Sequence, residues 1–423
     1  MRTVLAVLRD QTAIAAFVHE LRARLSTADR ELAQQVLQFH AGKVAACDSD
    51  ATEKLKVRAF LKPLRERRVL RVAIGVLEIP AHEGPVRGLV DWISLDPRTD
   101  RVRDISASQR VVMGLAAWDL EWLAAPGVVC YERAKARVDS ERNGVCNASF
   151  ARALVHTTLP TATANASDHY ILLQPNTAPR FLSVNECARA FGVDESGPMF
   201  RMLTANGPLT PNQAVSCLGR AVHAGVARQI VRTLVARGVV AAGMRYGSDC
   251  SGVDLFAAAV HAELGASWTY VFASEREAHV RSGLIAAWGP LGLTAAAVAT
   301  DACRPPEDLP PPVDLYVLTP DCTAHSAANH SRSTAGWAAS LGDICAMLEY
   351  VRLRRPPVVV VENVDETSVV APLTGLLSRL QGYDVETGVL TPGEHAAADI
   401  ARTRHFWILT ARDACAINVG AAS

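Results

Sequence analysis

From residue 246 onwards, short apolar runs alternate with stretches of helical apolar spacing. The strand-like runs are "YGSDCSG", "TYVFASE", "AAAVATDA", "VDLYVLTP", "VVVVENV" and "HFWILT". Between them lie helical stretches such as "GVDLFAAAVHAEL" and "LGDICAMLEYVRLR". Apolar strands separated by helices predict an α/β fold with a doubly wound, mostly parallel sheet that helices cover on both faces. Ligands of such sheets bind at the carboxyl ends of the strands.

The chain before this region follows other patterns. Residues 1–45 have the apolar spacing of two amphipathic helices. Residues 53–71 carry eight Lys/Arg against two Glu, a basic stretch of the kind that is usually a solvated face. Residues 69–123 mix β-branched runs with turn signals, which predicts an α+β region. Residues 135–168 are rich in Asn, Ser, Thr and Ala, and we expect a loop-rich connector there.

Composition narrows the class of protein without naming a partner. The 423 residues are 49% hydrophobic and 20% charged, an ordinary globular mixture with room for two or three domains. The 43 basic and 43 acidic residues cancel, so overall charge draws the protein neither to nucleic acid nor to an anionic membrane. The ten cysteines include no C-x-x-C pair, which argues against a zinc site or a dithiol redox motif. Without an apolar run of about 18 residues or a signal peptide, we expect a soluble, cytoplasmic protein.

The first three strand ends of the predicted sheet fit one nucleoside. The first strand runs into "DCSGVDLF" (249–256), where Gly252 would make a tight turn into a helix. The second ends at Glu275, a candidate acceptor for ribose hydroxyls, and the third at Asp301, a candidate acceptor for an adenine amino group. A glycine turn or an acid at a strand end is individually commonplace. Three consecutive ends that suit the same ligand favour a nucleoside-binding edge.

The later strand ends carry a cysteine, a glutamate and two arginines. The fourth strand runs out in "TPDCTAHS" (319–326), and the fifth ends in "ENV" (362–364), ahead of "ARTRHFWIL" (401–409). An arbitrary free cysteine is most often a small buried side chain. In this order, however, the segments resemble the Pro-Pro-Cys-Gln, Glu-Asn-Val and Gln-x-Arg-x-Arg motifs of the DNA cytosine-5 methyltransferases. The resemblance implies a class I S-adenosylmethionine-dependent methyltransferase fold with a smaller α+β target-recognition domain.

The resemblance also implies roles for individual residues. Cys322 would be the nucleophile, Glu362 the acid at the cytosine ring, and Arg402 and Arg404 the pair beside the base. The implied donor contacts are Ser251, Gly252, Asp254, Glu275, Asp301, Pro320 and Arg220, and the implied DNA contacts are Asn363, Ser326, Arg332 and the basic cluster 54–71. The donor would be S-adenosylmethionine, with no metal. The partner would be double-stranded DNA, and we expect a monomer that works at a bacterial or phage nucleoid.

The chemistry of cytosine requires these residue types. Carbon C5 of cytosine is a poor nucleophile, so a thiolate must first add at C6 to turn the ring into an enamine. A free thiol is only a few per cent ionised at neutral pH, and we expect the Arg404 guanidinium to increase that fraction. A carboxyl group with a raised pKa, as expected for Glu362, can protonate or hydrogen-bond N3. The target base must also be flipped out of the duplex, at a cost of a few kcal/mol.

The order of the remaining motifs suggests a circular permutation. Residues 180–192, "RFLSVNECARAFG", and residues 217–230, "CLGRAVHAGVARQI", resemble segments that follow the catalytic motifs in the family. Here they precede them. We therefore expect a target-recognition region in 1–150, relocated family motifs in 151–240, and the donor-binding and catalytic core in 241–423. Permutation is tolerated where the original termini are close together and exposed.

Several positions depart from the family pattern. Asp321 replaces a Pro, Thr323 and Ile400 each replace a Gln, and Asp254 replaces a Gly of the donor loop. An inactive homologue that only binds DNA is therefore one alternative. The Cys, Glu and Arg residues that carry the chemistry are all present, which favours an enzyme.

The departure with the most chemical content is Arg220, which stands where the family has an Asn near the donor's sulfonium. A guanidinium 4 Å from that cation would cost up to about 4 kcal/mol at an effective dielectric near 20. Arg220 could point to the surface, or it could pair with Asp254. It could also bind a carboxylate on the donor, because guanidinium and carboxylate pair in bidentate fashion. The donor would then be carboxy-S-adenosylmethionine and the product 5-carboxymethylcytosine.

Two other enzyme classes remain alternatives. His325 and His330 follow the cysteine closely enough to suggest a Cys–His hydrolase, but no oxyanion glycine pair or orienting carboxamide is evident in the sequence. RNA cytosine methylation is also open, because a fold does not fix its substrate. The Glu-Asn-Val signature favours DNA or the DNA-type tRNA enzymes.

Overall fold

The computed structural model divides the chain into two compact units, residues 1–72 with 331–341 and residues 73–330 with 342–423. The residues described are 74–94, 100, 126–130, 155–156, 159, 170–174, 177–205, 207–322 and 334–412. Nearly all of them belong to the second unit. The two amphipathic helices predicted in 1–45 and the basic stretch 53–71 lie outside the described residues.

The strands and helices alternate along the second half of the chain, as the apolar pattern predicts. The strands of the described residues are β1 (Gly75–Val76), β2 (Gly127–Cys130), β3 (Val155–His156), β4 (Tyr170–Leu173), β5 (Arg180–Phe181), β6 (Arg245–Asp249), β7 (Thr269–Ser274), β8 (Val298–Ala299), β9 (Leu315–Leu318), β10 (Val358–Val364), β11 (Tyr383–Leu390) and β12 (Arg404–Ala411). The helices are α1 (Leu89–Trp92), α2 (Val184–Ala190), α3 (Pro198–Thr204), α4 (Pro211–Arg220), α5 (Ala224–Ala236), α6 (Leu255–Leu264), α7 (Ala278–Trp288), α8 (Thr334–Arg354), α9 (Thr367–Leu377) and α10 (Pro392–His395), with 3₁₀ turns at Gly289–Leu291, Ala295–Ala297 and Pro306–Asp308.

An eight-stranded sheet in the order β1-β11-β12-β10-β9-β6-β7-β8 forms the centre of the second unit. β12 runs antiparallel to both of its neighbours. The other neighbouring pairs are parallel. The order of the strands along the sheet reverses beside β6. In doubly wound sheets, ligands bind at this point of reversal. This confirms the expected α/β fold with a doubly wound, mostly parallel sheet.

Helices cover both faces of the sheet. Residues of α5, α6 and α7 form the apolar core on one face, and residues of α8 and α9 form it on the other. In β10, Val358 and Val360 face the first core while Val359 and Val361 face the second. All four are fully buried, which explains the continuous apolar run, and each contributes about 1.5–3 kcal/mol of hydrophobic free energy.

A smaller antiparallel sheet has the order β3-β2-β4-β5. All four residues of β4 are buried. The neighbouring Leu159 pairs with Ile400 in an isolated bridge. β3 and this bridge fall within 135–168, so the described part of the predicted loop-rich connector contains short strand pairing. Within the ranges given above, no helix is long and apolar enough to cross a membrane.

Candidate active site

One edge of the large sheet gathers the residues predicted from the strand ends. β6, β7, β8, β9 and β10 are parallel, so their carboxyl ends lie along that edge. β12 runs the opposite way and therefore begins there, with Arg404 paired to Val364, the last residue of β10. Segments far apart in sequence thus meet at one edge.

Cys322 follows β9 in a loop that is tied to β10. Its side chain is partly buried. Pro320 is buried, and its carbonyl oxygen accepts a hydrogen bond from Asn363 Nδ2 at 3.4 Å. Asn363 is itself buried, so in this structure it holds the loop. The other predicted residues of this loop, Ser326, Arg332, His325 and His330, lie outside the described residues.

Glu362 and Arg404 form an ion pair between β10 and β12, with 3.0 Å between Arg404 Nε and Glu362 Oε1. Because Arg404 is paired with Val364, two residues beyond Glu362, the two side chains emerge on the same face of adjacent strands. Both side chains are about nine-tenths buried. Such a pair is only weakly screened by salt, because solvent does not reach it.

The electrostatics of this group differ in one respect from the expectation. Burial raises the pKa of Glu362, and the Arg404 and Arg402 cations only partly oppose it. Burial also raises the pKa of the Cys322 thiol, with the Glu362 charge acting in the same direction. Arg404 and Arg402 favour the thiolate, as expected for Arg404. Their effect is smaller than that of burial, so the pKa of the thiol is raised on balance although both arginines act to lower it.

Arg402 lies beside Arg404 in sequence but makes different contacts. Its guanidinium is buried, and Nη1 donates a hydrogen bond to the carbonyl oxygen of Gly219 at 3.1 Å. The guanidinium carbon lies 5.4 Å from the centroid of the Phe191 ring. Burial lowers the pKa of Arg402 to about 9. The residue therefore joins the start of β12 to the carboxyl end of α4.

The donor residues predicted at the first strand ends are brought together. The backbone N–H of Gly252 donates to Glu275 Oε2 at 2.9 Å. The other carboxylate oxygen of Glu275 accepts from the backbone N–H of Glu277 at 2.8 Å. Two backbone donors thus fix Glu275 directly after β7. Asp301 follows β8, and its Oδ1 accepts from the backbone N–H of Cys303 at 3.0 Å.

Of the three possibilities considered for Arg220, the pair with Asp254 is not formed. Arg220 ends α4 and forms an ion pair with Glu277. Asp254 is buried and hydrogen-bonded to other groups. The Arg220 side chain is 43% exposed, and the Glu277 carboxylate compensates its charge. Recognition of a carboxylated donor by Arg220 stays a prediction.

Sequence reasoning missed an arginine among the acids of the edge predicted to bind the donor. Among the described residues, one group of side chains has possible metal-ligating atoms that all lie within 4.8 Å of one another. It consists of Asp301, Cys303 and Asp343. Arg276 Nη2 lies 2.8 Å from Asp343 Oδ1 and 3.9 Å from Asp301 Oδ1. A guanidinium therefore lies against both carboxylates. Arg276 adjoins Glu275 in sequence. Asp343, however, lies within α8, and nothing in the apolar pattern of that helix indicates that this residue reaches the strand ends.

No protein-family model matches the chain, and no curated protein matches it. The solved structures that it resembles include TrmN from Thermus thermophilus, at 15% identity over 57% of this chain and 56% of that chain, with a TM-score of 0.31. They also include the S. pombe Dnmt2 methyltransferase, at 15% identity over 40% and 50% of the two chains, with a TM-score of 0.28. A human methyltransferase 10 domain containing protein matches at 14% identity over 44% and 80%, with a TM-score of 0.30. The chain spans about half the length of the first two structures. The fold assignment rests on the strand order and not on these matches.

Proposed function

We propose that the protein transfers a methyl group from S-adenosylmethionine to C5 of a cytosine in double-stranded DNA. The observation that carries the proposal is the convergence of Cys322, Glu362 and Arg404 at the ligand-binding edge of the sheet. Glu362 and Arg404 are in contact at 3.0 Å, and the charges of both act on the Cys322 thiol. A nucleophile, an acid and a cation are the three groups that addition at cytosine C6 requires.

The opposite effects of Glu362 and the arginines on the thiol suggest how it is activated. The ionised Glu362 carboxylate raises the pKa of the Cys322 thiol, while burial raises the pKa of Glu362 itself. Transfer of the Cys322 thiol proton to Glu362 would therefore form the thiolate, remove the charge that opposes it and leave the two arginine cations in place. The same protonated carboxyl can then donate to N3 of the ring as negative charge builds there.

The residues at the neighbouring strand ends suit a nucleoside donor. Glu275 and Asp301 offer carboxylate oxygens at consecutive strand ends, suited to ribose hydroxyls and to an amino group. Gly252 has φ of +54° and carries no side chain, so a ligand can approach the backbone of the turn closely. When bound, S-adenosylmethionine would supply an electrophilic methyl group. Glu275 would orient the donor through a carboxylate that two backbone N–H groups already fix.

We propose in addition that the chain is a circular permutant of the DNA cytosine-5 methyltransferases. Helix α5 precedes the core in sequence but packs on α6 and α10. Arg402 donates to Gly219 at the end of α4, across 183 residues of chain. Both contacts join the segment proposed as relocated to the catalytic core. Residues 1–150, most of which lie outside the described residues, would then hold the target-recognition region.

The covalent step is tested with Cys322→Ala and a matched control, Cys345→Ala. Duplex DNA with 5-fluorocytosine at the target should trap wild-type protein and the Cys345 variant. The fluorine takes the place of the C5 hydrogen that a base must remove before the thiolate can leave C6, and it cannot itself be removed in this way. The Cys322→Ala protein should form no adduct and transfer no tritiated methyl group, yet still bind DNA in a gel-shift assay. Cys345 lies in α8 and is exposed, so its variant controls for loss of a thiol.

The outcome of that experiment also separates the alternatives. Unchanged methyl transfer by Cys322→Ala would overturn the assignment of the nucleophile. DNA binding without transfer by the wild-type protein would favour the inactive homologue. Parallel reactions with tRNA test the RNA alternative, since transfer to tRNA alone would replace DNA as the substrate.

A further inference from the structure

We propose that Asp254 is a positioning residue that sets the donor loop through a buried network of hydroxyl groups. This inference rests on the proposed function, because it takes residues 251–254 to be the donor loop. Asp254 is 5% exposed, so it acts from beneath the loop rather than by touching the donor. This differs from the donor contact expected for Asp254 from the sequence.

The backbone at Asp254 is the first observation. Asp254 has φ of +42° and ψ of +69° and is the N-cap of α6. Residues other than glycine rarely adopt this left-handed conformation, and they persist in it only where the surroundings enforce it. Asp and Asn tolerate it best, because their short polar side chains can form local hydrogen bonds. Residues with such rarely populated backbone angles cluster at ligand sites.

Four donors surround the Asp254 carboxylate and enforce this conformation. Oδ1 accepts from the Tyr246 hydroxyl at 2.8 Å and from the backbone N–H of Ala257 at 2.9 Å. Oδ2 accepts from the Ser248 hydroxyl at 2.7 Å and from the Tyr270 hydroxyl. Tyr246 and Ser248 belong to β6, and Tyr270 belongs to β7. The carboxylate therefore joins two adjacent strands to the start of α6.

The network continues into the turn that faces the donor edge. Ser248 Oγ lies 2.7 Å from Ser251 Oγ, and the backbone N–H of Asp254 donates to the Ser251 carbonyl oxygen at 2.8 Å. This closes a turn around Gly252, whose N–H points to Glu275 Oε2 at 2.9 Å. A shift of Asp254 would therefore move the N–H group that fixes Glu275. Asp254 reaches the donor only through these backbone contacts.

Tyr270→Phe tests the network with little risk to folding, because it removes one hydroxyl and keeps the ring. Tyr350→Phe is the matched control, since its hydroxyl donates to the Pro311 carbonyl oxygen at 2.7 Å, away from the donor loop. The Kd of S-adenosylhomocysteine is measured by calorimetry on the full chain without DNA. The KM of the donor, kcat and Tm are measured in parallel. Asp254→Asn, which keeps the shape and the left-handed preference, is the second variant.

We expect Tyr270→Phe to raise the Kd and the KM of the donor about five- to tenfold, with kcat and the KM for DNA within twofold of wild type. Asp254→Asn should raise both constants further. Tyr350→Phe should lower Tm by a similar amount and leave the Kd unchanged. A purely structural network would instead lower Tm in all three variants without moving the Kd, and that result would overturn the proposal.

Binding of S-adenosylhomocysteine and transfer of the methyl group are measured separately. The results can therefore contradict the proposed function and the proposed role of Asp254 independently. Wild-type protein that binds S-adenosylhomocysteine but transfers no methyl group would refute the proposed function. The Kd values of the variants would then still decide the role of Asp254. Wild-type protein that binds no S-adenosylhomocysteine would refute both.

Discussion

Glu186, in the segment proposed as relocated, forms an ion pair with Arg180 that can be perturbed without touching the proposed chemistry. Its carboxylate is 0% exposed. Oε2 accepts from Arg180 Nη1 at 2.7 Å and from the backbone N–H of Ser183 at 2.8 Å. Oε1 accepts from Arg180 Nη2 at 2.6 Å and from the backbone N–H of Ser94 at 2.9 Å. Each oxygen therefore receives two donors.

Glu186→Gln keeps the shape of the side chain but turns one oxygen into an NH₂ group. Two donors that faced this oxygen then face another donor. Hydrogen bonds to a charged group contribute about 1.5–3 kcal/mol each, and breaking a buried ion pair costs about 3–5 kcal/mol. We therefore expect the variant to lose about 3–5 kcal/mol of the free energy of unfolding, combining the two ranges.

Urea unfolding followed by tryptophan fluorescence measures this loss. The control is Glu195→Gln, because Glu195 pairs with Arg189 at 3.2 Å but is 58% exposed, and such surface pairs contribute about 0–1 kcal/mol. A loss below about 1 kcal/mol for Glu186→Gln, within the range of a surface pair, would refute the reasoning.

The same pair predicts a pH dependence with a defined sign. Burial alone would raise the pKa of Glu186, but Arg180 and the backbone N–H groups of Ser183 and Ser94 outweigh it, so its pKa is lowered from 4.5. The stabilisation is then present above pH 4.5 and lost as the pH falls through the lowered value. The difference in stability between wild type and Glu186→Gln should accordingly narrow in acid. A constant difference would contradict this assignment of the charge.

Three further predictions concern other parts of the structure. Glu362→Gln should lower the rate of transfer about 100-fold or more and flatten the fall in rate at high pH, because the raised pKa of Glu362 keeps the carboxyl protonated only below that pKa; an unchanged pH–rate profile would exclude Glu362 as the acid. Arg220→Asn should keep methyl transfer within about threefold, a change below 1 kcal/mol, because Glu277 already compensates the charge. Mass spectrometry of digested DNA should show 5-methylcytosine, whereas 5-carboxymethylcytosine formed by wild type but not by Arg220→Asn would assign Arg220 to a carboxylated donor. Gly247→Ala should cost about 1–3 kcal/mol in urea unfolding, because its Cβ would overlap the Phe272 ring; a neutral effect would mean that the ring moves freely.

The elements that the sequence predicted well are those buried on both faces. β10 spans Val358–Val364, as the run "VVVVENV" indicates, and every one of its positions is buried. β11, Tyr383–Leu390, was missed because "YDVETGVL" places polar residues among its apolar ones, at positions that remain partly exposed in the sheet. Periodicity detects burial, and a strand that is only half buried leaves a weak signal.

Within the candidate site, sequence reasoning succeeded where topology determines proximity. Parallel strands end at one edge, so the neighbourhood of Glu362 and Arg404 follows from the order of the strands. The partner of Arg220 does not, because Glu277 lies 57 residues away at the N-cap of another helix. The net pKa of Cys322 was also out of reach, because the depth of burial that dominates it is a property of the packed structure.

The contacts between early and late segments of the chain also bear on how the protein is made. Helix α5 buries Val226, Ile230 and Leu234 against partners that include α6 and α10, which leave the ribosome later. The backbone pairing of Leu159 can form only after Ile400 has been synthesised. Chains dominated by such distant pairings fold slowly and expose apolar surface meanwhile. The nascent chain should therefore keep this apolar surface uncovered until the late segments have been synthesised.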